Sequence, residues 1–385
     1  MFSKLDFNDG FETEPSKYER FMTFVDRSMV LRSSPVLETL KLDVGPCCTT
    51  EDMTRWIRIG MVQDMRELEI VHFEESFEEH RPIKLPNTLY TYEKLEVLKL
   101  TYSIILDVPI AVCFPSLKTL HLMCVEYETK ECYRRLLSGC PVLEELVMDK
   151  AVNSNYLRSF YVEMPTLQRL YVIHTYREPN FHYTTVINVP SLKYLEFLDF
   201  YSELCLCKNM PEVVEANVKV VYKNPEKLLG SIPSVKRLYL CLSAYKIPPH
   251  GIEFYHLVHL ELCAYSLGWW DLLTWMLTIS PKLQVLKICE CNERPCTIMP
   301  IRGHWRGPSA VPECLIFHLH TFKWKNYKSN GKEKKIVAYI LKNARQLKIL
   351  GISAWQYYSK KERSQKLNEL FSLPRASSSC QLLLD

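Results

Sequence analysis

One short phrase recurs along this chain, and few architectures can accommodate it. The pattern Leu-x-x-Leu-x-Leu, usually with Pro two residues before the leading Leu, occurs as SPVLETLKL, YEKLEVLKL, FPSLKTLHL, CPVLEELVM, MPTLQRLYV, VPSLKYLEF, IPSVKRLYL, FYHLVHLEL, SPKLQVLKI and IFHLHTFKW. ARQLKILGI closes the series. The leading positions are Leu37, Leu95, Leu117, Leu143, Leu167, Leu192, Val235, Leu257, Leu283, Leu319 and Leu347, and the weaker MRELEI adds Met65. Most steps span 22 to 30 residues; the step of 43 from Leu192 to Val235 is divided by MPEVVEANV, where Val213, Ala216 and Val218 match the three apolar slots. That makes 13 units.

A self-similar period of this length is the mark of a solenoid, and this phrase is that of a leucine-rich repeat. Each phrase reads as a short parallel strand whose three apolar side chains point inward, with the alternate residues on the opposite face. One unit buries too little apolar surface to offset the ordering of its own backbone, so the units must stack. The expected fold is α/β: a curved horseshoe with a concave parallel sheet and irregular convex helices. Helical spacing is clearest at Glu128–Ser138, where Cys132, Tyr133, Leu136 and Leu137 form a stripe that Gly139 and Pro141 end. Glu51–Gln63 and Trp269–Ile279 carry the same signal. Lys17–Ser33, with Phe21, Phe24, Val25 and Met29, reads as a helical cap over the first core edge, and Leu367, Leu370, Phe371 and Leu373 as the cap over the last.

Composition narrows the function. A formal charge of +4 over 385 residues gives no strong field to recruit nucleic acid or anionic lipid. The 15 cysteines are odd in number and many occupy ordinary apolar positions, which reads as reduced, buried thiols. No basic leader precedes an apolar segment, no run of about 18 apolar residues occurs, and no Asn-x-Ser/Thr acceptor is present. The expected location is intracellular, in the cytoplasm or nucleus, with neither membrane nor nucleic acid as a partner.

The phrases resemble those of the plant F-box/FBD/leucine-rich-repeat proteins over nearly the whole chain. FVDRSMVLRSSPVLETLKL at residues 24–42 is similar to the entry into that family's repeats. PSAVPECLIFHLHTFKWKNY, EKKIVAYILKNARQLKILGI and KLNELFSLPRASSSCQLL are similar to successive parts of its FBD module. The resemblance implies a linker and cap over 1–34, leucine-rich repeats over 35–305, and an FBD domain over 306–385 that includes the last repeats and the C-terminal cap. In the family the F-box binds a Skp-type adaptor and places the protein in a cullin-based ubiquitin ligase. The stretch MFSKLDFND is similar to the segment just after an F-box, and no F-box residue stands ahead of it. The receptor half is therefore the part that transfers, with binding of a partner protein; the alternative is a truncated member that holds a partner as a decoy, without ubiquitination.

Partner contacts are expected on the concave face, from residues flanking the last two apolar slots. Arg169, Tyr171, Tyr194, Arg237 and Tyr239 fall there on near-consecutive units, followed by His259 and Glu261. Tyr and Arg dominate binding energy when desolvated, which makes these seven the candidate patch; they also suit exposed strands for purely structural reasons. Enzymatic readings find no footing: phosphate-loop, nucleophile-elbow, zincin and dinucleotide patterns are missing, and no cofactor is implied. Glu74, Glu75, Glu78 and Glu79 read as a solvated loop. Cys289, Cys291, Cys296 and His304 have zinc-ligand chemistry without the paired Cys-x-x-Cys clamp, and Cys291 occupies the Asn/Cys slot of its repeat, so no metal is expected. The lysines from Lys323 to Lys335, with Trp324 and Tyr327 among them, read as a solvated face rather than a single-strand groove.

Overall fold

The computed structural model describes residues 3–31, 36–74, 81–149, 159–174, 183–200, 202–208, 210–220, 225–242, 251–264, 269–290, 305 and 307–384. Two compact units divide the chain, Met1–Val189 and Pro190–Asp385.

The first unit begins with β1 (Lys4–Asn8), α1 (Pro15–Val30), β2 (Thr39–Val44), α2 (Thr50–Val62) and β3 (Glu67–His72). It continues through β4 (Ile83–Lys84), a 3₁₀ turn at Asn87–Thr91, β5 (Val97–Tyr102), β6 (Ile104–Leu106) and β7 (Thr119–Met123). It ends with β8 (Glu126–Tyr127), α3 (Lys130–Ser138), β9 (Glu145–Asp149), β10 (Ser159–Glu163), β11 (Arg169–His174) and β12 (Tyr183–Asn188). β1 and the phrase strands β2, β3, β5, β7, β9 and β11 form one parallel ladder. Inward slots such as Leu40, Leu42, Leu68, Ile70, Leu120 and Leu146 are buried, and the alternating outward slots are half-buried.

The register is fixed where each strand begins. The carbonyl after the leading apolar residue accepts two N–H groups from the next unit: Glu38 from Arg66 and Glu67, Arg66 from Glu96 and Val97, Glu96 from Lys118 and Thr119, and Lys118 from Glu144 and Glu145. Obligatory backbone groups are thereby satisfied between units rather than within them.

The expected helices α2 and α3 are present. Gly139 ends α3 in the ordinary right-handed helical region, not the left-handed one that favours glycine. A Cβ there would lie 2.9 Å from a Val112 methyl and 3.0 Å from its carbonyl oxygen, so close approach is what requires the glycine. Elsewhere opposite the ladder, short strands take the place of helices: β4, β6 and β8 pair in parallel, as do β10 and β12. The N-terminus departs from its reading as linker plus cap. β1, not α1, closes the sheet edge by pairing with β2. α1 lies against α2, where Asp26 accepts from Trp56 Nε1 at 2.8 Å and the Met29 carbonyl accepts from Gln63 at 3.0 Å. Val25 and Met29 are buried while Phe24 stands out at 61% exposure.

The second unit begins with β13 (Tyr194–Asp199), β14 (Ser202–Cys207), β15 (Glu215–Val220), α4 (Glu226–Gly230), β16 (Arg237–Leu242), β17 (His259–Cys263) and α5 (Trp269–Ile279). It continues with β18 (Val285–Cys289), α6 (Glu313–Phe317), β19 (Thr321–Tyr327), α7 (Gly331–Asn343), β20 (Ile349–Ala354), α8 (Lys360–Phe371) and β21 (Gln381–Leu384). Its parallel ladder runs β13, β15, β16, β17, β18, β19, β20, β21. β15 is the strand of the faint phrase, with Val213, Ala216 and Val218 buried. The same shared-carbonyl device recurs, for example at Val214, which accepts from Lys236 and Arg237. At the C-terminus the expected helical cap is only half of the answer: Leu367 and Leu370 are buried, Phe371 is 55% exposed, and β21 beside β20 makes the outer edge.

Candidate functional site

Each candidate side chain sits on an outward slot of a phrase strand, next to residues at the same slot of the neighbouring strand. In the first unit Arg169 opposes Glu145 and Tyr171 opposes Val147. Arg169 Nε donates to Glu145 Oε2 at 2.6 Å, and His121 Nε2 lies 2.9 Å from Glu145 Oε1. Burial works against ionisation of Glu145, but Arg169 and His121 outweigh it and hold the carboxylate below its usual range.

In the second unit the outward slots surround a hollow of about 290 Å³. Five of the candidates line it, namely Tyr194, Arg237, Tyr239, His259 and Glu261, together with Glu215, Asn217 and Lys287. Registers explain the convergence: Tyr194 opposes Glu215 on β13 and β15, Asn217 opposes Tyr239 on β15 and β16, and Tyr239 opposes Glu261 on β16 and β17. Charges on its rim are paired, with Arg237 Nε 3.1 Å from Glu215 Oε2 and Lys287 Nζ 3.6 Å from Glu261 Oε2. Lys219 Nζ lies 5.1 Å from the centre of the Tyr239 ring, and the Tyr194 hydroxyl donates to Glu196 at 3.0 Å. Tyr239 packs over buried Cys241 and Cys263, which fixes its ring. Partial burial, with Lys287 close by, lowers the His259 pKa and favours the neutral imidazole. Asn217 is one of the lining residues, and its side-chain Oδ1 is buried with no hydrogen-bond partner.

Glu215 and Asn217 are not among the residues that the sequence singles out. A signal for them exists: once Val213 is taken as a leading position, 215 and 217 become its outward slots.

Two family models match, one described as FBD over residues 307–352 and one as FBD-associated F-box protein At5g56370, LRR repeats, over residues 53–221. The protein named as FBD-associated F-box protein At3g50710 of Arabidopsis thaliana is 63% identical over all of this chain and 91% of its own length. The chain belongs to the plant F-box/FBD/LRR-repeat family. Two further members from Arabidopsis thaliana are F-box/FBD/LRR-repeat protein At5g56420, 43% identical over 95% of this chain and 86% of its own, and F-box/FBD/LRR-repeat protein At4g26340, 39% identical over 100% and 91%. The family is named for protein-interaction modules, and neither matching model bears the name of a catalytic family.

Among the described residues the other constellations hold no comparable site. Cys289 is buried, with its thiol pushed up to about 12 by desolvation, whereas Cys291, Cys296 and His304 lie outside the described residues. Among the described residues no three His, Cys, Asp or Glu side chains gather as metal ligands. Of the acidic run only Glu74 is described. Trp324 and Tyr327 are buried, so the aromatics between the lysines belong to the core and offer no stacking platform. Among the described residues no helix is long and apolar enough to cross a membrane.

Proposed function

We propose that this chain is a non-enzymatic, intracellular protein-binding receptor, equivalent to the substrate-selecting part of an SCF-type (Skp–cullin–F-box) E3 ubiquitin ligase. The partner is held on the outward face of the phrase strands by Arg169 and Tyr171 in the first unit and by Tyr194, Arg237, Tyr239, His259 and Glu261 in the second, while residues 306–385 act as the FBD domain that terminates the repeats. Family membership supports the reading. The observation that carries it is the hollow, whose lining brings two tyrosines and an arginine together beside Asn217. Anchors of this composition, placed centrally and partly desolvated, are what concentrate binding energy at protein interfaces.

Two measurements test it. Proteins enriched from plant extract on the wild-type chain are compared with those on Arg237→Ala/Tyr239→Ala; loss of a discrete set is expected, and an unchanged set refutes the patch. A pull-down with a purified Skp-type adaptor, using this chain and the same chain fused to an F-box, decides the ligase role. Capture by the chain itself supports a ligase receptor. Capture by the fusion alone supports a binding protein that retains its partner without delivering it for modification.

A further inference from the structure

Away from the outward sheet face, the second unit holds a larger cavity of about 500 Å³ between α5 and the start of α7. Its walls are aromatic. α5 contributes Trp269 and Trp270, both nearly buried, whose rings meet edge to face at 6.0 Å. Trp305 completes the wall, fixed on both sides: its Nε1 donates to Thr274 of α5 at 3.0 Å, and its ring meets Tyr339 of α7 at 5.3 Å. Each indole is therefore held before any ligand arrives, which lowers the ordering cost of binding.

The polar lining is cationic. Lys332 places its ammonium 4.6 Å from the centre of the Trp270 ring, and Lys335 comes next on the exposed side of the same helix. Among the described lining residues the one carboxylate, Glu333, is occupied: it closes a capping box, accepting from the Lys328 and Asn330 backbone N–H groups at 2.8 and 3.4 Å and from Asn330 Nδ2 at 2.7 Å. Lys335 is exposed, and it is its neighbour Lys334 that pairs with Glu369. Tryptophan walls beside two ammonium groups suit an apolar ring that carries negative charge at its flanks.

We propose that this cavity is a second docking site, which takes an acidic segment of a partner protein by inserting one aromatic side chain between Trp270 and Trp305 while neighbouring carboxylates engage Lys332 and Lys335. The volume lies within the range of formed ligand pockets, about 300–1,000 Å³. This site lies on other elements than the Tyr194–Tyr239 hollow and does not depend on it.

The test is calorimetric titration of the full chain with the blocked peptide Asp-Glu-Phe-Asp-Glu, beside versions with Phe replaced by Ala and with all acids replaced by Lys. The acidic aromatic peptide is expected to bind, and each replacement to weaken binding about tenfold or more. Lys332→Glu/Lys335→Glu, at two side chains outside the core, is expected to keep the unfolding temperature and lose the peptide by a similar factor. No heat from the first peptide, equal binding of all three, or undiminished binding by the double variant would overturn the proposal.

Discussion

In Met1–Val189 the outward side chains of successive strands are linked by hydrogen bonds and charge: Thr39 to Glu67, Lys41 to Glu69, and His121 and Arg169 together on Glu145. In Pro190–Asp385 the same slots carry charge pairs at the rim, Arg237 with Glu215 and Lys287 with Glu261, around tyrosines and an asparagine oxygen with no partner. The inward slots of both units are alike, apolar and buried. A single framework thus displays two kinds of surface. One ties its outward residues together by hydrogen bonds and charge; the other sets aromatic area between its charge pairs, which a partner can cover.

The comparison can be attacked first at the shared framework. Leu98→Ala in the first unit and Leu260→Ala in the second remove equivalent, fully buried side chains, and each should cost about 2–5 kcal/mol in urea unfolding. A loss confined to one of them would break the equivalence of the two ladders.

Next comes a cost carried by a carboxyl group of the first unit. Burial pushes the Asp149 carboxyl up to about 6, against the hydrogen bond it receives from Cys124 Sγ at 3.3 Å. Because the folded pKa is raised, the native state binds the proton more tightly than the unfolded chain. Its stabilising contribution is complete below the ordinary carboxyl pKa and is lost as pH rises through about 6. Asp149→Asn should therefore stabilise the protein at pH 7.5 by about 1–3 kcal/mol and flatten the pH dependence of unfolding between pH 4 and 7. An unaltered profile would remove Asp149 as its source.

A smaller effect sharpens the contrast in the second unit. Asn217→Val deletes the unpartnered acceptor and should be neutral or stabilising by up to about 1 kcal/mol in thermal unfolding, while weakening partner capture. A clear destabilisation would mean that the amide is structural. Smallest of all, Glu145→Gln breaks the bridge between His121 and Arg169 and should cost less than about 1 kcal/mol, a difference that 1 M salt erases.

The inward slots were readable because a period of two with large aliphatic residues leaves no competing reading, and even the weak Val213 phrase forms its strand. The terminal strands were not. β1 contributes only Phe7 to the core, and β21 has no fully buried residue, so neither carries the burial alternation that marks an inner strand. The short strands β4, β6 and β8 are two or three residues long, below the reach of any periodicity. At the candidate site the tyrosines and arginine were visible as residue types in register. The gathering of five candidates, His259 and Glu261 included, with Asn217 around one hollow was not, because it depends on which strand neighbours which.

The carbonyls that each accept two N–H groups from the following unit have an evolutionary consequence. They set alignment at the mouth of most phrase strands, so there the segment leading to the next phrase is not needed to keep the strands level. That segment can lengthen, shorten, or exchange helix for strand, as the steps between leading residues already do, without sliding one row of outward side chains past the next. A repeat array built in this way can be edited on its back while its display face keeps its grid, and a binding surface can be revised one square at a time.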